Sequence, residues 1–106
     1  MAKVIWTKTA LNNLDDIGDY IALDKPSAAY RLVNKISKQV DQLEQFRGLG
    51  RKPPEFNLTK FRELVIPPCR VFYLLEDKRV YIIHIIRSEQ QLRKYMLEER
   101  GEYEFN

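Results

Sequence analysis

Three arginines lie at or near the edges of strand-like runs between residues 61 and 92. Arg62 comes near the start of one run, Arg70 begins the next, and Arg87 ends the last. A guanidinium stays protonated near neutral pH and binds phosphate or carboxylate oxygens in pairs. A small sheet carrying arginines therefore suits a flat polyanion or a partner protein better than a small-molecule pocket. Plain surface ion pairs are the alternative, and Glu63 is an obvious partner for one arginine.

Cleavage of RNA by its own 2′-hydroxyl would need a group that takes the proton, a group that protonates the leaving oxygen, and positive charge at the phosphate. Arginines can supply the charge, but they are poor bases. The base would have to be Glu89, Tyr95 or His84. We expect Arg62 and Arg70 to share one side of the sheet, which would let both serve the same phosphate.

Two reactive side chains have simpler interpretations. His84 lies mid-strand, and alternation places it on one face with Val80, Ile82 and Ile86, which favours a core histidine over a catalyst. Cys69 follows a Pro-Pro pair without a nearby histidine in the sequence, which favours a structural thiol. With one cysteine and one histidine in the chain, zinc sites built from these two residue types are excluded on ligand count.

The composition is that of an ordinary globular protein. The chain has 106 residues, of which 44% are hydrophobic and 31% charged, and these values predict a single soluble domain spanning residues 1–106. From Arg47 to Arg70, six basic residues face two acidic ones, whereas the stretch from Ser88 onward has three basic and five acidic residues. This asymmetry predicts a basic surface for an acidic partner. No pattern of a signal peptide or membrane span appears, so we expect a cytoplasmic protein with no membrane contact.

Hydrophobic periodicity predicts the α+β class, with the order strand, helical hairpin, three-stranded antiparallel meander and short C-terminal helix. Thr7 is the predicted N-cap of the first helix, Pro26 begins the second, and Ser88 caps the last. The hairpin must pack on one face of the sheet and leave the other partly open. The predicted elements are a strand at 3–6, helices at 8–23 and 26–46, strands at 61–66, 70–75 and 79–86, and a helix at 88–99.

This order, with several local matches, resembles the RelE/ParE superfamily, the toxin halves of bacterial toxin–antitoxin pairs. The opening VIWTKTALNNLDDIGDYIA resembles the first strand and helix, DKPSAAYRLVNKI the start of the second helix, and FRGLGRKPPE the loop into the sheet. FRELVIPPCRVFYLLEDKRVYIIHIIR resembles the meander, including the pattern from Arg70 to Tyr73. The resemblance covers Val4 to about Leu92. It implies a toxin neutralised by a cognate antitoxin in a hetero-oligomer, with no cofactor.

The resemblance leaves the target open. ParE-like members inhibit DNA gyrase by binding it, and the loop and helix lengths favour this alternative. RelE-like members cut messenger RNA on the ribosome, but here Leu64 stands where a second strand lysine would be expected. A non-toxic interaction or autoregulatory module is the third alternative. The candidate catalytic residues of the nuclease alternative are Arg62, Arg70, Arg87, Glu89 and Tyr95.

Overall fold

A computed structural model describes residues 2–56 and 60–98. One sheet has the strand order β1-β4-β3-β2, in which β1 is parallel to β4 and the other neighbours are antiparallel. This architecture confirms the predicted α+β class. Among residues 2–56 and 60–98, no helix has both the length and the apolar character needed to cross a bilayer. The elements are β1 (Lys3–Trp6), α1 (Lys8–Ala22), α2 (Pro26–Asp41), β2 (Phe61–Ile66), β3 (Cys69–Glu76), β4 (Arg79–Arg87) and α3 (Tyr95–Glu98).

Thr7 begins α1 and also ties it to the sheet. Its hydroxyl oxygen accepts a hydrogen bond from the Ala10 N–H at 3.1 Å, which confirms the predicted N-cap. The same hydroxyl donates to the Ile82 carbonyl of β4 at 2.7 Å. Leu14 and Ile17 follow Ala10 at helical spacing and are buried with it. The start of α1 is therefore fixed against the central strand β4.

The second helix starts where predicted and ends earlier. Pro26 occupies its first turn, where the missing N–H costs nothing. The α-helix stops at Asp41, and a 3-10 turn, Gln42–Glu44, continues the chain with Leu43 buried. The predicted end at residue 46 was wrong. The 3-10 turn, rather than a further α-helical turn, places Leu43 in the core.

Two apolar clusters lie on opposite faces of the sheet. The helical hairpin covers one face, and the C-terminal segment places Leu92 and Leu97 against the other. The prediction of a hairpin on one face is confirmed, but much of the second face is apolar and covered. The hairpin side of the sheet buries Leu64, Ile66, Val71, Tyr73, Val80, Ile82 and Ile85. The other side buries Phe61, Phe72, Leu74, Ile83 and Ile86.

A bulge interrupts the alternation of β4. Tyr73 of β3 pairs with Ile82, whereas the preceding residue, Phe72, pairs with His84, so Ile83 is an extra residue on β4. Residues beyond the bulge therefore lie on the opposite face from the one that strict alternation predicts.

The C-terminal helix is much shorter than predicted. Ser88 does not cap a helix, because it lies in a turn after β4 and its N–H donates to the Pro68 carbonyl at 2.7 Å. Gln90 then accepts from the Arg87 N–H at 2.7 Å through its side chain. The helix begins only at Tyr95. Its predicted end at residue 99 lies outside the described residues.

Gly50 lies where the loop after the hairpin crosses the sheet. Its N–H donates to the Tyr73 hydroxyl at 2.8 Å, and this hydroxyl donates to the Arg47 carbonyl at 2.9 Å. A Cβ on Gly50 would lie 2.5 Å from the Glu63 carbonyl oxygen and 2.6 Å from the Tyr73 hydroxyl. Both contacts are too close for any side chain, so the loop reaches the sheet only with glycine here.

We predict that Gly50→Ala lowers the free energy of unfolding by about 2 kcal/mol, because the loop must move away from β2 and β3. Gly48→Ala is the matched control, since a Cβ there meets nothing within 4 Å. Urea denaturation of the two variants and the wild type measures the difference. Equal stability of the two variants would contradict the role of the close approach.

Candidate functional site

A fully buried carboxylate on β2 forms the centre of the charged cluster. Arg51 donates from Nε and Nη2 to Oε1 of Glu63 at 2.9 and 2.8 Å. Arg70 donates from Nε and Nη2 to Oε2 at 2.9 and 2.6 Å. The Glu63 side chain is 0% exposed. Because a buried charge is costly unless it is paired and hydrogen-bonded, these two arginines make the burial of Glu63 tolerable.

Arg70 is occupied on all its guanidinium nitrogens. Besides Glu63 it binds Glu55 through Nη1 and Nη2, both at 2.8 Å, and it stacks 5.1 Å from the Phe72 ring centre. The hydrogen bonds to Glu55, followed by those to Glu63, raise the pKa of Arg70. In return, Arg70 lowers the pKa of Glu55. The Arg70 side chain is 11% exposed and offers little surface to a phosphate.

Arg62 lies on the opposite face of the sheet from Arg70. Arg70 pairs in register with Val65, three residues after Arg62, and side chains alternate along a strand. Arg62 instead donates from Nη1 to the Gly50 carbonyl at 2.9 Å. The expected common side of the two arginines is therefore wrong. The register of β2 against β3 determines which side chains of the two strands share a face of the sheet. The sequence pattern did not reveal this register.

Arg87 and Glu89 come together at the end of β4. Arg87 Nε donates to Glu89 Oε1 at 2.6 Å, and the guanidinium lies 4.1 Å from the ring centre of Tyr20 on α1. A backbone hydrogen bond, with a smaller contribution from Arg87, lowers the pKa of Glu89. Tyr95 is exposed at the start of α3, and within residues 2–56 and 60–98 no hydrogen bond joins it to these groups. The five candidate residues thus form separate groups.

His84 lines a cleft between α1 and the end of β4. The cleft has a volume of about 160 Å³, and Asp16 and Arg87 also line it. Burial lowers the pKa of His84, so the imidazole is neutral near pH 7. The predicted common face of His84 with Val80, Ile82 and Ile86 is wrong, because Val80 and Ile82, before the bulge, lie in the hairpin-side cluster, whereas Ile86, after it, lies in the opposite cluster. His84 is half-buried rather than a core residue.

Cys69 is buried in the hairpin-side cluster. Burial raises the pKa of its thiol to about 11, so the reactive thiolate is scarce near neutral pH. This environment agrees with a structural thiol. Among the described residues, no group of three His, Cys, Asp or Glu side chains could hold a metal ion.

An exposed basic surface lies on the loop beside β2. Two apolar side chains in this loop, Phe46 and Leu49, are 60% and 51% exposed. The uneven distribution of charge along the sequence indicated this stretch as basic. Only the structure distinguishes the arginines that are buried by pairing with carboxylates from those that remain exposed. We call the exposed set the basic loop surface. It consists of Phe46, Arg47, Leu49, Lys52 and also Arg51, whose side chain is 59% exposed although it binds Glu63.

Known proteins resemble the chain over most of its length. Residues 4–92 match the family described as ParE toxin of type II toxin-antitoxin system, parDE. "Toxin RelE2" of Caulobacter vibrioides is 36% identical over 86 residues, covering 80% of this chain and 93% of that protein. "Putative toxin Y4kP" of Sinorhizobium fredii is 37% identical over 91 residues, covering 84% and 91%. A solved structure described as "Chromosomal ParDE TA system from P. aeruginosa" matches with a TM-score of 0.69 and 30% identity, covering 82% of this chain and 96% of that one.

We predict that Arg70→Met lowers the free energy of unfolding by about 3 kcal/mol, since Glu63 then keeps only Arg51 as a partner in a buried position. Arg31→Met on the exposed side of α2 is the control and should change stability by less than about 0.5 kcal/mol. Urea denaturation at pH 7 measures both. Similar losses in the two variants would show that the buried pair contributes little.

The Glu55–Arg70 pair makes stability depend on pH. The pKa of Glu55 in the folded protein lies below its ordinary value of 4.5. Its ionised form therefore stabilises the fold above that value, and this contribution is lost as the pH falls through the folded-state pKa. We predict that Glu55→Gln is less stable than the wild type at pH 7 and equally stable in strong acid. A difference that does not vary with pH would contradict this assignment.

Proposed function

Since this chain belongs to the ParE family of toxins from type II toxin–antitoxin systems, we propose that it inhibits DNA gyrase by binding to it. The chain is the toxin component of such a system. The observation that supports gyrase binding over RNA cleavage is the separation of the five candidate catalytic residues. A nuclease needs its base, its acid and its phosphate-binding charges around one reacting phosphate.

Four of the five residues are hydrogen-bonded within the protein, whereas Tyr95 is exposed. Arg70 is held by two carboxylates, and Arg62 lies on the other face at the Gly50 carbonyl. Glu89, the candidate base beside Arg87, has a lowered pKa, which makes it a weak proton acceptor. Arg70 and Arg62 thus connect the sheet to the loop, and a protein-binding activity needs none of the five residues to react.

The basic loop surface is the proposed contact with gyrase. It combines exposed apolar and basic side chains, as a protein interface requires. The hydrogen bond from the Gly50 N–H to the Tyr73 hydroxyl holds the loop in place. Two backbone hydrogen bonds between Arg51 and Glu63 also hold it, at N–O distances of 3.0 and 2.7 Å. A loop that is already ordered loses less conformational entropy when it binds.

RNA cleavage remains the second candidate because of the cleft between α1 and β4. Its neutral imidazole, His84, could take a proton, and Arg87 lies beside it. Asp16 on the same wall would repel a phosphate, which is why we place this activity second.

The other partner is an antitoxin. The matching family is described as the toxin of a type II toxin-antitoxin system, parDE, and the structural relative is described as a ParDE system. Gyrase, ribosomes and the antitoxin would all be met in the cytoplasm, and this is where the proposal places the protein. A module without toxicity would bind the antitoxin but leave growth unchanged.

The direct assay is DNA supercoiling by purified gyrase with increasing amounts of the protein. We predict inhibition that Arg47→Glu/Lys52→Glu weakens by about tenfold or more, because charge reversal on an interface lowers the association rate. Lys38→Glu, an exposed basic residue on α2, is the control for net charge. Normal supercoiling in excess protein would exclude gyrase as the target.

A ribosome-dependent RNA cleavage assay separates the second candidate. We predict no cleavage with the wild-type protein. Cleavage that His84→Ala abolishes while Cys69→Ser preserves it would reverse the order of the two candidates and place the chemistry in the cleft.

A further inference from the structure

One end of the sheet carries cations across its strands. At this end β1, β4 and β2 begin and β3 ends. Lys3 at the start of β1 lies opposite Arg79 at the start of β4. Lys78 precedes Arg79 in the β3–β4 turn, and Lys60 directly precedes β2. All four residues are exposed, and we call this set the cationic rim.

The rim is held in place by bonds to its turn. The Lys3 N–H donates to the Lys78 carbonyl at 2.9 Å, which joins β1 to the turn. Arg47 Nη1 donates to the Asp77 carbonyl at 3.3 Å, so the guanidinium from the loop lies on the same turn. A fifth cation therefore lies beside the four of the rim. A surface that is already ordered loses less conformational entropy when it binds.

Positive charge exceeds negative charge at this end of the sheet. The acidic residues of the turn are Glu76 and Asp77, which leave the five cations with a net charge of +3. Glu44 in the neighbouring 3-10 turn reduces this value to +2. Within residues 2–56 and 60–98, no ion pair engages a side chain of the rim. These cations are therefore available to an external anion.

The residue types of the rim suit phosphates better than a protein interface. Three of its four residues are lysines, and lysine is depleted in protein interfaces, whereas aromatic residues are enriched there. Among the described residues, none of the large exposed hydrophobic side chains lies in β1, in the β3–β4 turn or at the start of β2. Long cationic side chains without an apolar anchor can bind the phosphates of a nucleic acid. The basic loop surface differs, because it exposes Phe46 and Leu49.

The width of the rim matches the charge spacing of duplex DNA. Neighbouring strands lie about 4.8 Å apart, so four strands span about 14 Å. Duplex DNA carries one phosphate charge for about every 1.7 Å of its axis, so about eight phosphates pass this distance. Several cations of the rim can therefore meet phosphates at the same time.

The acidic residues of α1 lie toward the other end of the sheet. Tyr20 of α1 contacts Arg87, the last residue of β4, whereas the rim contains its first residue. Asp16 and Asp19, both exposed, lie on this part of α1. Because these carboxylates repel phosphates, the charge distribution favours an orientation in which the rim faces the nucleic acid.

We propose that the cationic rim, together with Arg47, binds the phosphates of duplex DNA without reading the base sequence. That this DNA is the segment held by gyrase rests on the proposed function. In that complex the toxin contacts the enzyme through the basic loop surface and the DNA through the rim beside it.

Fluorescence anisotropy with short labelled DNA duplexes of two unrelated sequences tests the proposal on the full chain without gyrase. We expect both duplexes to bind with equal affinity. For about four phosphate contacts, the affinity should fall about a hundredfold between about 50 and 200 mM salt.

Charge reversal locates the contact. Lys60→Glu/Lys78→Glu should weaken binding by about tenfold or more and reduce the slope of log K against log salt by about two. Lys25→Glu/Arg31→Glu, exposed at the far end of α2, changes the net charge equally and should have a much smaller effect. Lys60→Gln/Lys78→Gln is a milder variant that should weaken binding in the same direction, and circular dichroism shows whether each variant is folded.

Four results would overturn the proposal. They are no binding at low salt, binding that does not depend on salt, equal weakening by the rim variant and the α2 variant, and a clear preference for one DNA sequence. An RNA duplex that binds about tenfold or more tightly than the DNA duplex would also overturn it and would identify RNA as the partner. Because the binding assay contains no gyrase, its failure and the failure of the gyrase proposal are separate results.

Discussion

The burial of the Glu63 carboxylate under the loop is the constraint on which the rest of the structure depends. Glu63 is on β2, beside the edge of the sheet, and has no exposed side-chain surface. Such a charge persists in the interior only with strong partners, and Arg51 from the loop and Arg70 from β3 both bind it. One buried group therefore connects the loop, the edge strand and the next strand. Gly50 allows the loop to come close enough for this connection.

That constraint determines which charges remain for a partner. An arginine that holds Glu63 and Glu55 has no nitrogen left for a phosphate, although its sequence position resembles that of a catalytic arginine. Among the exposed cations, Arg47 and Lys52 lie on the loop that Glu63 fixes.

Local signals in the sequence predicted most helices and strands. The features that were predicted wrongly depend on contacts between residues far apart in the sequence. Thr7 and Pro26 act within a few residues, so the starts of both helices were predictable. Ser88 has the chemistry of a cap, but its N–H bonds to Pro68, twenty residues away in the sequence. The extra residue on β4, Ile83, leaves no mark in the hydrophobic pattern and changes the faces that follow. The burial of Glu63 was not predictable either, because an isolated glutamate is usually a surface residue.

Pulse labelling of DNA and protein synthesis in cells after induced expression tests the central claim most directly. Because the strand arginines support the structure and the proposed activity is the binding of gyrase, we predict that DNA synthesis falls first and protein synthesis later. Early loss of protein synthesis with continued DNA synthesis would contradict this proposal and would indicate RNA cleavage in the cleft lined by His84 and Arg87.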